Sequence, residues 1–293
     1  MDRVEITKTY KIYIGGAFPR TESGRYYTPK NGEKVLGNIC LSSRKDVRNA
    51  VVAARGVHNK WAGKSAANRS QILYRIAEML EGRKQQFIEE LILQGSTKSQ
   101  AVKEVIASVD RLIYYAGWCD KFAQVFSSVN PVASAHFNFT APEPMGVVSI
   151  VCKEESGLLG IVSAIAPVLA GGNTCVLLAS EQRPLCAITF AEVLNSSDVP
   201  GGVVNILTGK RTELIEHMAS HMDVNGFLYC GTDKNDINTV QQLAVENLKR
   251  VTIRAFEGLM NDDHNTPYYI DDFIEMKTTW HPIEKIGATG SAY

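Results

Sequence analysis

The chain has 293 residues, 45% of them hydrophobic and 21% charged, the make-up of a globular protein with a sizeable buried core rather than of a disordered or fibrous one. Lysine plus arginine and aspartate plus glutamate each number 31, so no excess of positive charge argues for a nucleic acid as partner. The opening "MDRVEITKTYKIYIGG" carries charges where a signal peptide needs an apolar core, and no run of about 18 apolar residues marks a membrane span; no membrane partner and a cytoplasmic location are expected.

Residues 10–18, "YKIYIGGAF", alternate like a short strand that turns at Gly15 and Gly16, which predicts a peripheral hairpin. Ser43 is placed to cap a helix in which Val47, Val51, Ala54 and Val57 recur at helical spacing. "RSQILYRIAEMLEGRKQQFIEELILQG" and "SQAVKEVIASVDRLIYYAGWCDKFAQVF" are also amphipathic, with "EGRKQQ" a solvated helix segment. The first 128 residues are therefore predicted to be mostly helical.

Residues 130–146, "NPVASAHFNFTAPEPMG", change the texture: three prolines flank the short alternation from His136 to Thr140, which reads as an extended excursion. Five apolar runs then alternate with helices: "GVVSIV", "NTCVLLAS", "GGVVNILTG", "VNGFLYCG" and "LKRVTIRAF". That alternation predicts an α/β fold with a doubly wound parallel sheet. Residues 258–267 read as a polar connector, and residues 268–283 as one or two strands.

Between the first two runs lies "VCKEESGLLG", where a strand hands over to an apolar helix. Open α/β sheets bind ligands at such junctions, so Lys153, Glu154 and Glu155 mark the edge to inspect. Cys152 ends that strand and is the one thiol with a case for reactivity; the other five cysteines, with no C-x-x-C pair, read as buried reduced thiols. His217 and His221 sit at i and i+4 on a predicted helix, but no third metal ligand accompanies them. No metal is expected.

Residues 146–258 resemble the cofactor half of an aldehyde dehydrogenase, carried by "GVVSIV", "IAPVLAGGNTCVLLASEQRPL", "DVPGGVVNILTG", "ASHMDVNGFLYCGTD" and "NLKRVT". The helical N-terminal part, "PEPMG" and "FIEMKTTW" are also similar to that superfamily, and the layout resembles the degenerate C-terminal unit of aldehyde dehydrogenase family 16. The resemblance implies a Rossmann-like domain from residues 1–129 and 145–258, an oligomerisation flap from 130–144 and 268–283, and a tail at 284–293. It also implies that the catalytic domain is missing, because after Gly258 the chain passes directly to the flap strand.

The family's catalytic groups are a cysteine nucleophile, an asparagine oxyanion donor and a glutamate base. Glu155 falls at the asparagine position, Arg254 at the glutamate position, and the cysteine segment has no counterpart, so no catalytic residue is expected. The lysine that would bind the adenine ribose falls on Leu178. Glu181, Gly209 and Thr232 match cofactor-contacting positions, while Arg211 and Thr212 stand where glycine and proline are usual. No cofactor, or NAD(P) held weakly, is the expectation.

The resemblance further implies Phe137, Phe139, Phe273, Ile274, Met276, Lys277 and Trp280 as interface residues of the flap. The reading is a pseudoenzyme that docks on a full-length aldehyde dehydrogenase subunit, or a homo-oligomer. Two other readings stay open: a nucleotide-binding sensor, and an oxidoreductase with divergent chemistry at Cys152.

Overall fold

A computed structural model describes residues 6–283; the expected tail at 284–293 lies outside the described residues. Five short strands, β1 (Thr9–Tyr10), β2 (Tyr26–Tyr27), β3 (Lys30–Asn31), β4 (Lys34–Val35) and β5 (Asn38–Cys40), open the chain. Gly15 and Gly16 turn as expected with positive φ, but the hairpin is not peripheral. Tyr13 exchanges backbone hydrogen bonds of 2.9 and 2.8 Å with Ile206, which stitches the turn to an edge of the central sheet. A Cβ on Gly16 would lie 2.9 Å from the Cα of Gly201, so only glycine permits this approach.

Helix α1 (Arg44–Ala62) begins where the Ser43 backbone N–H and Oγ both donate to the Asp46 carboxylate, at 2.7 and 2.8 Å. The next amphipathic run is not one helix but two, α2 (Ala66–Gly82) and α3 (Lys84–Leu93), broken at Arg83, whose φ of −108° and ψ of 13° leave the helical region. Gly82 weakens the join, and Arg83 is turned to bond Gln86 and Glu192. α4 (Lys98–Trp118) and the short α5 (Phe122–Phe126) complete the helical part.

After strands β6 (Ser128–Asn130) and β7 (His136–Pro144) come the alternating elements: β8 (Val147–Val151), α6 (Leu159–Ala170), β9 (Thr174–Leu178), α7 (Leu185–Asn195), β10 (Val204–Leu207), α8 (Arg211–Ala219), β11 (Gly226–Tyr229), α9 (Lys234–Ala244) and β12 (Arg250–Ile253). The five strands form the expected all-parallel sheet in the order β10-β9-β8-β11-β12. Period-two alternation divides the side chains between two cores: Val148, Ile150, Cys175 and Leu177 face α2, α4, α6 and α7, while Val147, Val151, Val176 and Leu178 face α1 and α8. α6 is apolar and buried along its whole length, as a helix sandwiched between a sheet and other helices must be.

The chain ends, within the described residues, in a helical turn α10 (Tyr268–Asp271) and a long strand β13 (Ile274–Pro282). The first part of the segment read as strand is thus helical, because Pro267 starts the turn and Ile270 is buried under it. β13 pairs antiparallel with β7 from Ile274 opposite Pro144 to Pro282 opposite His136, and β6 lies on the other side of β7. Phe137, Met276 and Trp280 are exposed on this small sheet, Phe139 is half-buried, and Lys277 pairs with Glu143. Phe273 and Ile274 are a correction to the sequence reading: both are packed in the main core, beneath the hinge of the flap, and present nothing to a partner. No described helix is long and apolar enough to cross a membrane.

Candidate functional site: the crevice at the switch of strand order

From β8 the chain winds outward through β9 and β10, then returns to add β11 and β12 on the other side, so the strand order reverses between β8 and β11. Crevices at such a reversal, outside the carboxyl ends of the strands, are where open α/β sheets hold ligands. Here the crevice is a pocket of about 190 Å³ lined by residues that include Lys153, Glu155, Arg211, Thr232, Asp233 and Glu257.

Its floor is a closed set of charges. Glu154, just past β8, accepts hydrogen bonds at Oε2 from Ser180 Oγ (2.9 Å) and the backbone N–H groups of Glu181 (2.9 Å) and Gln182 (3.3 Å). Its Oε1 accepts from Arg211 Nη2 at 2.7 Å. Arg211, the first residue of α8, also donates from Nη1 to the Tyr229 hydroxyl (3.1 Å) and to Asp236 Oδ2 (3.2 Å), and Tyr229 in turn donates to Asp236 at 2.7 Å. The Arg211, Glu154 and Asp236 side chains are 18%, 20% and 19% exposed, so the network is largely removed from water. Burial alone would lower the pKa of Arg211, but Glu154, Tyr229 and Asp236 together outweigh it and hold the guanidinium above its ordinary value. Tyr229 is pushed up by burial and by its bond to Asp236.

The N-terminus of α9 faces the same crevice. Its free N–H groups would suit an anion, but the cap residue Asp233 already accepts from Asn235 (2.9 Å) and Asp236 (3.1 Å). A carboxylate of this chain thus stands where an anionic ligand would bind. The N-terminus of α6 is filled in the same way: Glu104, buried on α4, accepts from the backbone N–H groups of Leu158 (2.8 Å) and Leu159 (3.1 Å).

The residues read from the sequence are distributed unevenly. Glu155 and Thr232 are exposed at the mouth of the pocket. Glu181 lies in the turn before α7, with its pKa raised by burial first and then by the neighbouring Glu154 charge. Gly209 serves packing, since a Cβ there would meet Leu214 Cδ1 at 3.1 Å and the Ser42 backbone nitrogen at 3.2 Å. Arg254 points away from any catalytic role: Nε donates to Asp272 at 3.0 Å, and the guanidinium lies 3.8 Å over the Tyr269 ring, pinning α10. Leu178 is part of the second core.

Cys152 is a correction to the reactive-thiol reading: it is buried and its pKa is raised well above the ordinary value, by burial first and then by the nearby Cys230 and Glu154, so the thiolate that chemistry requires is suppressed. His217 and His221 do not share a helix, because α8 ends at Ala219, and among the described residues no group of three or more metal-type side chains is placed to hold an ion. Sequence reading missed Asp236, Tyr229 and Glu104. Only Glu104 left a signal, as an acid at i+3 from Ala101 and adjacent to Val105 on the apolar face of α4.

The family model for the aldehyde dehydrogenase family matches residues 19–255. The chain belongs to the aldehyde dehydrogenase family. Bacillus subtilis (strain 168) DhaS is 31% identical over 252 residues, covering 84% of this chain and 50% of DhaS. Human mitochondrial 10-formyltetrahydrofolate dehydrogenase is 30% identical over 264 residues, covering 86% of this chain and 28% of that protein. Among solved structures, an NAD+ complex of aldehyde dehydrogenase from Bacillus cereus superposes with a TM-score of 0.80 at 27% identity, over 84% of this chain and 50% of that one. The chain therefore spans half or less of the length of these dehydrogenases. What it shares with them is the Rossmann-like α/β body described above.

Proposed function

We propose that this chain is a non-catalytic member of the aldehyde dehydrogenase family, an assembly subunit that docks through its β flap on a complete aldehyde dehydrogenase. The observation that carries the reading is the occupation of the switch-point crevice by the chain's own charges. A nicotinamide dinucleotide is the ligand the fold implies, and the residues present do not fit it. Its pyrophosphate would meet the carboxylates of Asp233, Asp236 and Glu154, while of the two cations lining the space, Lys153 and Arg211, the latter is already bonded to two of these acids. Freeing Arg211 would leave two largely buried carboxylates without their counter-ion, holding only the neutral donors around them, a cost of the order of 2 kcal/mol. Leu178 offers the adenine ribose no donor.

The catalytic positions support the same reading. Glu155 would repel a developing oxyanion, Arg254 is committed to Asp272 and Tyr269, and only residues 254–273 separate β12 from β13. The flap sheet, by contrast, carries exposed Val129, Phe137, Met276 and Trp280, and β6 and β13 each have an unpaired edge among the described residues. Open strand edges with apolar neighbours favour pairing with another chain.

The test is co-purification of the tagged chain from its native cells, with mass spectrometry and light scattering of the recovered complex. A complete aldehyde dehydrogenase in stoichiometric amount, lost in a Phe137→Asp/Trp280→Asp variant, supports docking through the flap. Recovery of the chain alone or as a homo-oligomer contradicts it.

A further inference from the structure

Away from the crevice, α4 carries a buried arginine that the fold does not neutralise. Arg111 is 3% exposed, yet among the described residues no carboxylate comes within ion-pair distance of it. Its Nη1 donates to Ser163 Oγ at 2.7 Å and its Nη2 to the Leu259 carbonyl at 3.0 Å, both neutral acceptors, and its Nε–H has no acceptor at all. Burial lowers its pKa, offset in part by Tyr115, Tyr269 and then Asp262, and Asp262 makes no ion pair with it.

This arrangement is energetically costly, and Arg69, also buried, bonded only to the Ala62 and Lys64 carbonyls and with an unpaired Nε–H, shares it without lining the pocket at Arg111. Buried charges are ordinarily paired, and an unpaired one costs several kcal/mol. The chain itself shows the ordinary solution twice, at Arg211 and at Arg254. Arg111 also forms part of the wall of a separate pocket of about 270 Å³, with Lys103, Ile106, Asp110, Met260 and Asn265 among its neighbours. A cavity bordered by an unneutralised guanidinium suits an anion, and a guanidinium edge matches the two oxygens of a carboxylate. Asp110 and Asp262 near the mouth disfavour a doubly charged phosphate, while Ile106, Ala107 and Met260 favour a short apolar body behind the charged group.

We propose that this pocket binds a small carboxylic acid as its carboxylate, with Arg111 as the anchoring cation and Lys103 at the mouth. The test is isothermal titration of the full chain with propionate, with propionamide as the neutral isostere and with inorganic phosphate. Propionate should bind at least tenfold more tightly than propionamide and phosphate, and Arg111→Gln should abolish the preference. Because that substitution also disturbs the bonds to Ser163 and Leu259, Ile106→Trp serves as a second variant. It fills the mouth from an exposed position without touching the guanidinium, and should remove propionate binding while leaving the thermal midpoint near that of the parent. Equal binding of propionate and propionamide, phosphate binding as tight as propionate, or propionate binding unchanged in Ile106→Trp would overturn the proposal.

Discussion

Replacing Arg211 with methionine probes the crevice directly. The substitution keeps the aliphatic stem and removes the charge that joins Glu154 to Asp236 and Tyr229. Breaking a fully buried pair by removing one partner costs about 3–5 kcal/mol. Here roughly a fifth of each side chain is exposed, so screening reduces the figure to about 2 kcal/mol. Glu154 retains its bonds from Ser180, Glu181 and Gln182, which limits the loss on that side. For a chain of 293 residues, about 2 kcal/mol lowers the thermal midpoint by about 3 °C. Urea denaturation of the parent, Arg211→Met, Glu154→Gln and the double variant would give the coupling energy, expected at about 1–2 kcal/mol. A stability change under about 0.5 kcal/mol in Arg211→Met, with no coupling to Glu154, would refute the view that the crevice is closed by its own charges.

Two further predictions rest on other parts of the structure. Burial raises the thiol pKa of Cys152, Cys175, Cys186 and Cys230, so the folded chain keeps protons that the unfolded chain releases from about pH 8.5 upward. Stability is then complete below that pH and falls as pH rises toward the folded values, by about 1.4 kcal/mol per thiol per pH unit; in reductant, the urea midpoint should drop sharply between about pH 8 and pH 10, and an unchanged midpoint would contradict the burial. Leu248 is 90% exposed and holds a left-handed φ of 55°. Leu248→Gly should therefore raise stability by about 0.5–1 kcal/mol, measured by denaturation; a loss would show that the leucine side chain packs against something in solution.

Much of the fold is legible in the sequence because its signals are local. The apolar runs around Val148, Val176 and Ile206 are short, rich in β-branched residues and bounded by glycine or turn residues, and each becomes a strand of the parallel sheet. The break at Arg83 is less visible, since apolar spacing continues through Ile76, Leu80, Phe87 and Leu91 and only backbone geometry stops the helix. The flap residues show the limit of alternation as a guide. Phe273 and Ile274 look like the start of an exposed strand, but they sit at its root, where β13 leaves the core.

The site was legible by position and not by partnership. "KEE" after the first sheet strand marks the crevice edge, and "GKRT" marks the turn facing it. That Glu154 and Arg211, 57 residues apart, bond to each other follows only from the way the parallel strands bring their carboxyl ends together. A basic turn next to a ligand crevice reads first as a solvated surface and only second as an anion site. The structure gives it a third use, as the counter-ion of Glu154 and Asp236. Arg254 is a similar case, legible as a departure from the family pattern but not as the anchor of α10.

The most direct test of the central claim is calorimetric titration of the full chain with oxidised and reduced NAD and NADP, alongside Arg211→Met. If the crevice is closed by Glu154, Arg211 and Asp236, the parent gives no binding heat up to millimolar dinucleotide, and the variant gains none. Saturable micromolar binding by the parent, lost in Arg211→Met, would contradict the account and return Arg211 to the role of a phosphate ligand.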